Sequence, residues 1–153
     1  MCIRDSNNYD PHADWARSDL DRTHRFNAVL MYTWRFGLHV SGIVSVWSGL
    51  PYNITTGKDD NHDTVFNDRP PGLWRNAGRA AGYTDVDLRV TKHWRVFRQR
   101  EHAHFVEVSL DAFNVLNHTN FQSYNGVLSS PSFGQPYTAS SARQLQVSAR
   151  FQF

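Results

Sequence analysis

The sequence predicts an all-β fold, an antiparallel up-and-down meander of about five long strands, and three observations carry that prediction. The closing stretch alternates completely, with Leu145, Val147, Ala149, Phe151 and Phe153 on one side of an extended chain and Gln144, Gln146, Ser148, Arg150 and Gln152 on the other. Four further stretches between His24 and Leu116 show the same period of two. The segments joining them alternate between long and short. A strand of the closing length crosses a membrane at a tilt, which takes roughly 9–11 residues, so the meander reads as an open segment of a large transmembrane β-barrel.

Composition bounds the answer without choosing it. The chain has 153 residues, of which 20% are charged, and a mean hydropathy of −0.57. No run of 18 apolar residues exists, which excludes a transmembrane helix. Transmembrane strands stay open, because alternating lipid-facing and lumen-facing residues average to mild polarity. A net charge of +2 with scattered Lys and Arg argues against nucleic acid as a partner. Cys2 stands alone, so no internal disulfide framework is expected. Residues 1–6, Met-Cys-Ile-Arg-Asp-Ser, lack the apolar region of a signal peptide and resemble an adapter-derived start, so the chain is expected to be a fragment.

Residues 7–23 are polar, without a period, and read as the end of an extracellular loop; the C-terminal barrel segment is expected over 24–153. From His24 to Trp34, Phe26, Ala28, Leu30, Tyr32 and Trp34 share one face. Arg35-Phe36-Gly37 forms a tight turn, after which Leu38, Val40, Gly42, Val44 and Val46 make the apolar face of the second strand. Keeping both apolar faces on one side pairs Trp34 with Leu38 and Tyr32 with Val40. Regularity is then lost from Gly49 to Gly82, a Pro- and Gly-rich stretch too long for a structureless loop in a small soluble domain.

The third strand, Tyr83 to Phe97, sets Val86, Leu88, Val90, Trp94 and Val96 on one face, interrupted by Lys92. The fourth, Phe105 to about Leu116, answers with Val106, Val108, Leu110 and Ala112. One register places Arg89 opposite Asp111 and His93 opposite Glu107, with Val90 on Leu110, and cross-strand opposite charges contribute roughly 0.2–1 kcal/mol. These four charged or titratable residues form the expected lumen network. Val44, Leu88, Val90, Leu110, Leu145, Val147 and Phe151 form the expected lipid face. Residues 117–142 make a second long loop. Short turns at 35–37 and 98–104 fall on the periplasmic side and the long loops outside, with Trp34, Trp94 and Tyr32 at one interface and Trp47 and Tyr52 at the other.

The sharpest local chemistry lies at 58–68. Asp59, Asn61 and Asp63 have the spacing of a calcium loop, with the Val65 carbonyl and Asn67 as further oxygens. Against this, Thr64 stands where such a loop needs Gly and Pro70 where a bidentate Glu closes it, so a solvated acidic loop is the competing reading. His102 and His104 have a ligand-like spacing but no third partner. Asp85, Asp87, Glu107 and Asp111 lie on regular strands facing Arg or His, and a salt-bridged lumen accounts for them without catalysis. No nucleophile elbow, P-loop or Cys/His constellation is present, and no enzyme is expected. Calcium is the one candidate cofactor.

Five strands cannot close a bacterial barrel, which begins at about eight, and unpaired edges in lipid are forbidden. The first and last strands are therefore expected to pair with strands this sequence does not contain. The ordered motifs "DRTHRFN", "VSGIVSVWSGLPYNITTG", "DDNHDTVFNDRPPG", "RNAGRAAGYTDVDLRVTKHW", "LDAFNVLNHTNF", "SPSFGQPY" and "RQLQVSARFQF" resemble the C-terminal part of TonB-dependent receptors of the Oar-like kind, over nearly all of Asp21 to Phe153. The resemblance implies a barrel of about 22 strands around a plug, transport energised through the TonB system, and location in the cell outer membrane of the Gram-negative type. It also implies that Phe151 and Phe153 belong to the C-terminal signal read by the barrel assembly machinery. Two other readings stay open: a soluble secreted β-sandwich binding calcium or carbohydrate through loops 49–82 and 117–142, and a passive porin or adhesin barrel.

Overall fold

The computed structural model describes residues 11–98 and 103–153. The expected non-native start at 1–6 lies outside the described residues. Where the period of two is long and unbroken, the chain is extended: β1 Arg25–Trp34, β2 Leu38–Trp47, β5 Tyr83–Arg98, β6 Ala103–Phe113 and β9 Gln144–Gln152. Four short strands lie in the long connections, β3 Pro51–Tyr52, β4 Gly78–Arg79, β7 Phe121–Tyr124 and β8 Pro136–Ala139. The described chain divides into two compact units. One holds Arg25–Val46, Thr84–Thr119 and Ser141–Phe153; the other holds the residues up to His24, Trp47–Tyr83 and Asn120–Ser140.

The first unit is built on a five-stranded sheet in the order β1-β2-β5-β6-β9. It is open, with β1 and β9 at its edges. β1 and β2 are joined by Arg35–Gly37, where Phe36 and Gly37 take left-handed φ values of 68° and 72°. Gly37 is needed there twice over, because an added Cβ would also come within 2.9 Å of the His93 carbonyl oxygen. Thr33 and His39, opposite one another in the expected hairpin register, share a hydrogen bond of 3.0 Å.

The β5–β6 ladder has the expected register, with Arg89 opposite Asp111, Val90 opposite Leu110 and His93 opposite Glu107. In the β6–β9 ladder Leu110 faces Val147, Ser109 faces Ser148 and Glu107 faces Arg150. Along most of both ladders apolar faces apolar and polar faces polar, as a one-residue slip would not allow; the exceptions include Lys92 opposite Val108, Arg95 opposite Phe105, and the end pairs Phe105–Gln152 and Phe113–Gln144. β6 ends at Phe113, earlier than the expected Leu116. The cause is Asn114, at φ 49°, whose left-handed backbone breaks the extended chain.

The long connections are not structureless, which corrects the expectation for 49–82 and 117–142. β3 pairs with β4, Tyr52 opposite Gly78, and β7 pairs with β8, Phe121 opposite Ala139. An isolated parallel bridge joins Thr55 to Val127, so both connections contribute to the same unit. Strands of two and four residues are too short to carry a hydrophobic period, and composition alone reads them as loop. Close backbone approach explains two glycines: a Cβ on Gly49 would lie 1.8 Å from the Ala80 carbonyl oxygen, and one on Gly126 equally close to that of Asn53.

Among the described residues there is no buried hydrophobic core. What the sheet unit buries is polar: Thr91, Ser109, Asp111 and Asn114. Its apolar residues are outside. Val147 is 72% exposed, while Ser109 and Asp111, on the opposite face, are 6% and 4% exposed. A soluble domain of this size is stabilised by apolar burial, so this sheet is inside out for water and the right way round for lipid.

Candidate functional site

The apolar face of the sheet is the first functional surface. Leu88, Val90, Leu110, Leu145, Val147 and Phe151 all lie exposed on it, in the positions expected to meet lipid. Val44 is half-buried, in the middle of β2. Lys92, the charged interruption, lies opposite Val108 on this same face. Its ammonium donates a hydrogen bond to the Phe36 carbonyl in the β1–β2 turn and sits 5.9 Å over the Trp94 ring. The long aliphatic stem stays on the apolar surface while the charge reaches polar backbone, the snorkelling expected near an interface.

The polar face carries the network. Arg89 donates from Nε and Nη2 to the two carboxylate oxygens of Asp111, the second at 3.1 Å, and the carboxylate is buried while the guanidinium is largely open. One level along, His93 Nδ1 lies 3.7 Å from Glu107 Oε2, and the His93 ring meets His39 edge-on at 4.9 Å. With Thr33 bonded to His39 and Arg150 opposite Glu107, a polar row crosses all five strands of the sheet. Between the two levels, Ser109 and Ser148 share a hydrogen bond of 2.7 Å. Thus Arg89, His93, Glu107 and Asp111 stand together as expected, and their partners on β1, β2 and β9 extend the set.

Four of the five aromatic residues expected at the interfaces make ring pairs. Tyr32 and Trp34 meet edge-on at 5.7 Å. Trp47 stacks on Tyr83 at 4.6 Å with the Arg22 guanidinium 5.0 Å from its ring, and Tyr52 stacks on Tyr124 at 5.5 Å. Phe151 and Phe153, the expected assembly signal, stack at 6.1 Å, and Phe153 is exposed.

The acidic loop is drawn together by its own side chains. Asp59 accepts hydrogen bonds from the backbone N–H groups of Asp63 and Thr64, Asn61 Oδ1 from that of Asp63, and Asp63 from that of Val65, all between 2.8 and 3.0 Å. His62 and Thr64 take left-handed backbones at φ 61° and 69°. The base is closed by Asp68, a buried residue outside the expected ligand set, which accepts from the N–H groups of Asp60 and Asn61. Asn67 Oδ1 is buried with no hydrogen-bond partner. Among the described residues no group of three or more His, Cys, Asp or Glu side chains is placed to hold a metal ion. His102, half of the other ligand-like pair, lies outside the described residues.

Sequence reasoning missed a clasp of three Arg–Asp pairs in the loop unit. Arg69 pairs with Asp14 at 2.7 Å, Arg75 with Asp19 at 3.0 Å and Arg79 with Asp21 at 3.3 Å. Between them the buried Asn76 donates from Nδ2 to the Arg17 carbonyl and to Asp19 Oδ1, each at 2.7 Å. Residues 14–21 are thereby fastened to 69–79. The one available signal was complementary charge in two polar segments more than forty residues apart, and spacing alone does not pair them.

Residues 72–146 match a family model described as an outer membrane beta barrel domain. No curated protein and no solved structure matches the chain. The match covers β4 to β8 and the first three residues of β9, and so includes the whole β5–β6 ladder with its apolar and polar faces. An exposed apolar face, a buried polar one and this match agree: the chain is an outer-membrane β-barrel protein.

Proposed function

We propose that the chain is the C-terminal barrel segment of a TonB-dependent receptor of the Oar-like kind, contributing lipid-facing wall, lumen lining and extracellular loops for substrate uptake. The observation that carries the transport reading is the continuous polar row across five strands, Thr33, His39, His93, Glu107 and Arg150, on the face turned away from lipid. A wall lined this way suits a wide, hydrated or plugged lumen. The finer assignment is supported by the order of motifs from "DRTHRFN" to "RQLQVSARFQF" and by two long connections with internal ladders of their own. β1 and β9 each present an unpaired edge that lipid does not tolerate, and upstream barrel strands fill both. Its partners are then outer-membrane lipid, the barrel assembly machinery reading Phe151 and Phe153, a plug, and the TonB system. The segment itself performs no catalysis.

The test uses the intact gene product, refolded in detergent. A heat-modifiable gel shift together with capture by the periplasmic domain of TonB is the expected result. A heat-modifiable barrel that does not bind TonB would make the protein a passive porin or adhesin instead.

A second reading, that 59–67 takes a calcium ion, is favoured by a buried Asn67 Oδ1 without a hydrogen-bond partner and by the Asp59, Asn61 and Asp63 side chains gathered on one turn. Calcium titrated into the refolded barrel should then give one-site heat that Asp59→Asn removes. Absence of heat would leave a turn stapled by its own side chains.

A further inference from the structure

Trp15 and Trp74 line one cleft of about 370 Å³ in the loop unit, together with Ala16, Arg17, Arg75 and Asn76. Trp15 is 85% exposed and Trp74 60%. Large exposed indoles are costly in water and concentrate where a partner covers them. The residues beside them are tied together: Asn76 links the Arg17 carbonyl to Asp19, and Arg75 holds both oxygens of Asp19. The two segments that carry the indoles are thus fastened to each other, which lowers the ordering cost of binding.

Charge narrows the ligand. Arg75 is neutralised by Asp19, whereas the exposed Arg17 guanidinium has no ion-pair partner among the described residues. The cleft thus offers two flat apolar faces and one unspent cation that favours a carboxylate. It is also open to solvent, so a bound molecule keeps part of its hydration. A saccharide ring suits that combination, with C–H groups on its faces for the indoles and hydroxyls on its rim for water. An aromatic acid would instead call for an enclosed apolar pocket.

We propose that the cleft lined by Trp15, Arg17 and Trp74 is a binding subsite for an acidic saccharide. The proposal rests on the reading of the long connections as extracellular. The probe is tetragalacturonate, titrated calorimetrically into the intact barrel in detergent, with maltotetraose and phenylacetate as neutral and aromatic comparisons. Saturable binding of tetragalacturonate is expected, weakened on the order of 10-fold by Arg17→Gln and by Trp74→Ala, and less by Trp74→Phe. Tyr137→Ala, outside the cleft, should leave it unchanged. The subsite is overturned by no binding, by equal affinity for maltotetraose, by binding of phenylacetate alone, or by affinities that ignore all three cleft variants. The heat-modifiable gel shift, run on every variant, separates these outcomes from failure of the barrel itself.

Discussion

Val147→Arg is expected to destabilise the bilayer-inserted barrel by about 2–4 kcal/mol, the cost of a cationic side chain near the membrane midplane. Val147 sits near the middle of β9, directly opposite Leu110 on the exposed apolar face. An arginine there has no lumen to enter and is too far from either strand end to snorkel cheaply. Gln146→Arg is the internal control. Gln146 is the adjacent residue on the other face, opposite Asp111, and a guanidinium there finds water and a carboxylate, so the change should stay within about 1 kcal/mol. Urea-dependent refolding into vesicles measures both. If Gln146→Arg proved the more damaging, the two faces would have been assigned the wrong way round.

Asn114→Ala should cost roughly 2–3 kcal/mol, from three lost hydrogen bonds and an unfavourable left-handed backbone. The Asn114 amide nitrogen donates to the carbonyls of His118 and Ser141, and its oxygen accepts from the His118 N–H. Its backbone N–H also donates to Asp87. The residue therefore ends β6, shapes the turn that follows and holds the chain entering β9. Neighbouring Asn117 works alongside it, accepting from the Arg143 N–H at 3.1 Å. Loss of the side chain leaves buried backbone groups unpaired, which costs more than the bonds contributed. Asn114→Gly, which removes the same bonds but tolerates the backbone, should recover part of the stability. Equal stability of all three proteins would show that the turn is held by its backbone alone.

These expectations differ in how far the sequence alone supports them. The faces around Val147 follow from alternation, because the period of a strand is two and a single slip would invert every residue. The pairing of Arg89 with Asp111 and of His93 with Glu107 was legible for the same reason: only one register satisfied both charge and apolar pattern. The role of Asn114 was not. An asparagine in a polar-rich stretch looks like any turn former until its four hydrogen bonds, to three partners on separate segments, are in place.

The calcium-like loop marks the boundary between the two kinds of information. Its spacing singles out Asp59, Asn61 and Asp63, yet the buried residue closing its base is Asp68, which accepts from Asp60 and Asn61 across the loop. Spacing names candidate oxygens, but backbone N–H groups compete for them, and only the folded loop shows which prevail.

Local periodicity is enough to set the five long strands, the register in which β5 and β6 pair, and which face of each strand is apolar. Each of these depends on a local period repeated over many residues. Tertiary structure alone decided that the long connections form a unit of their own, that Arg69, Arg75 and Arg79 fasten Asp14, Asp19 and Asp21, and that Trp15 and Trp74 share a cleft. Those contacts join residues more than forty positions apart with no period to announce them, and they are set by where the chain returns rather than by what it spells.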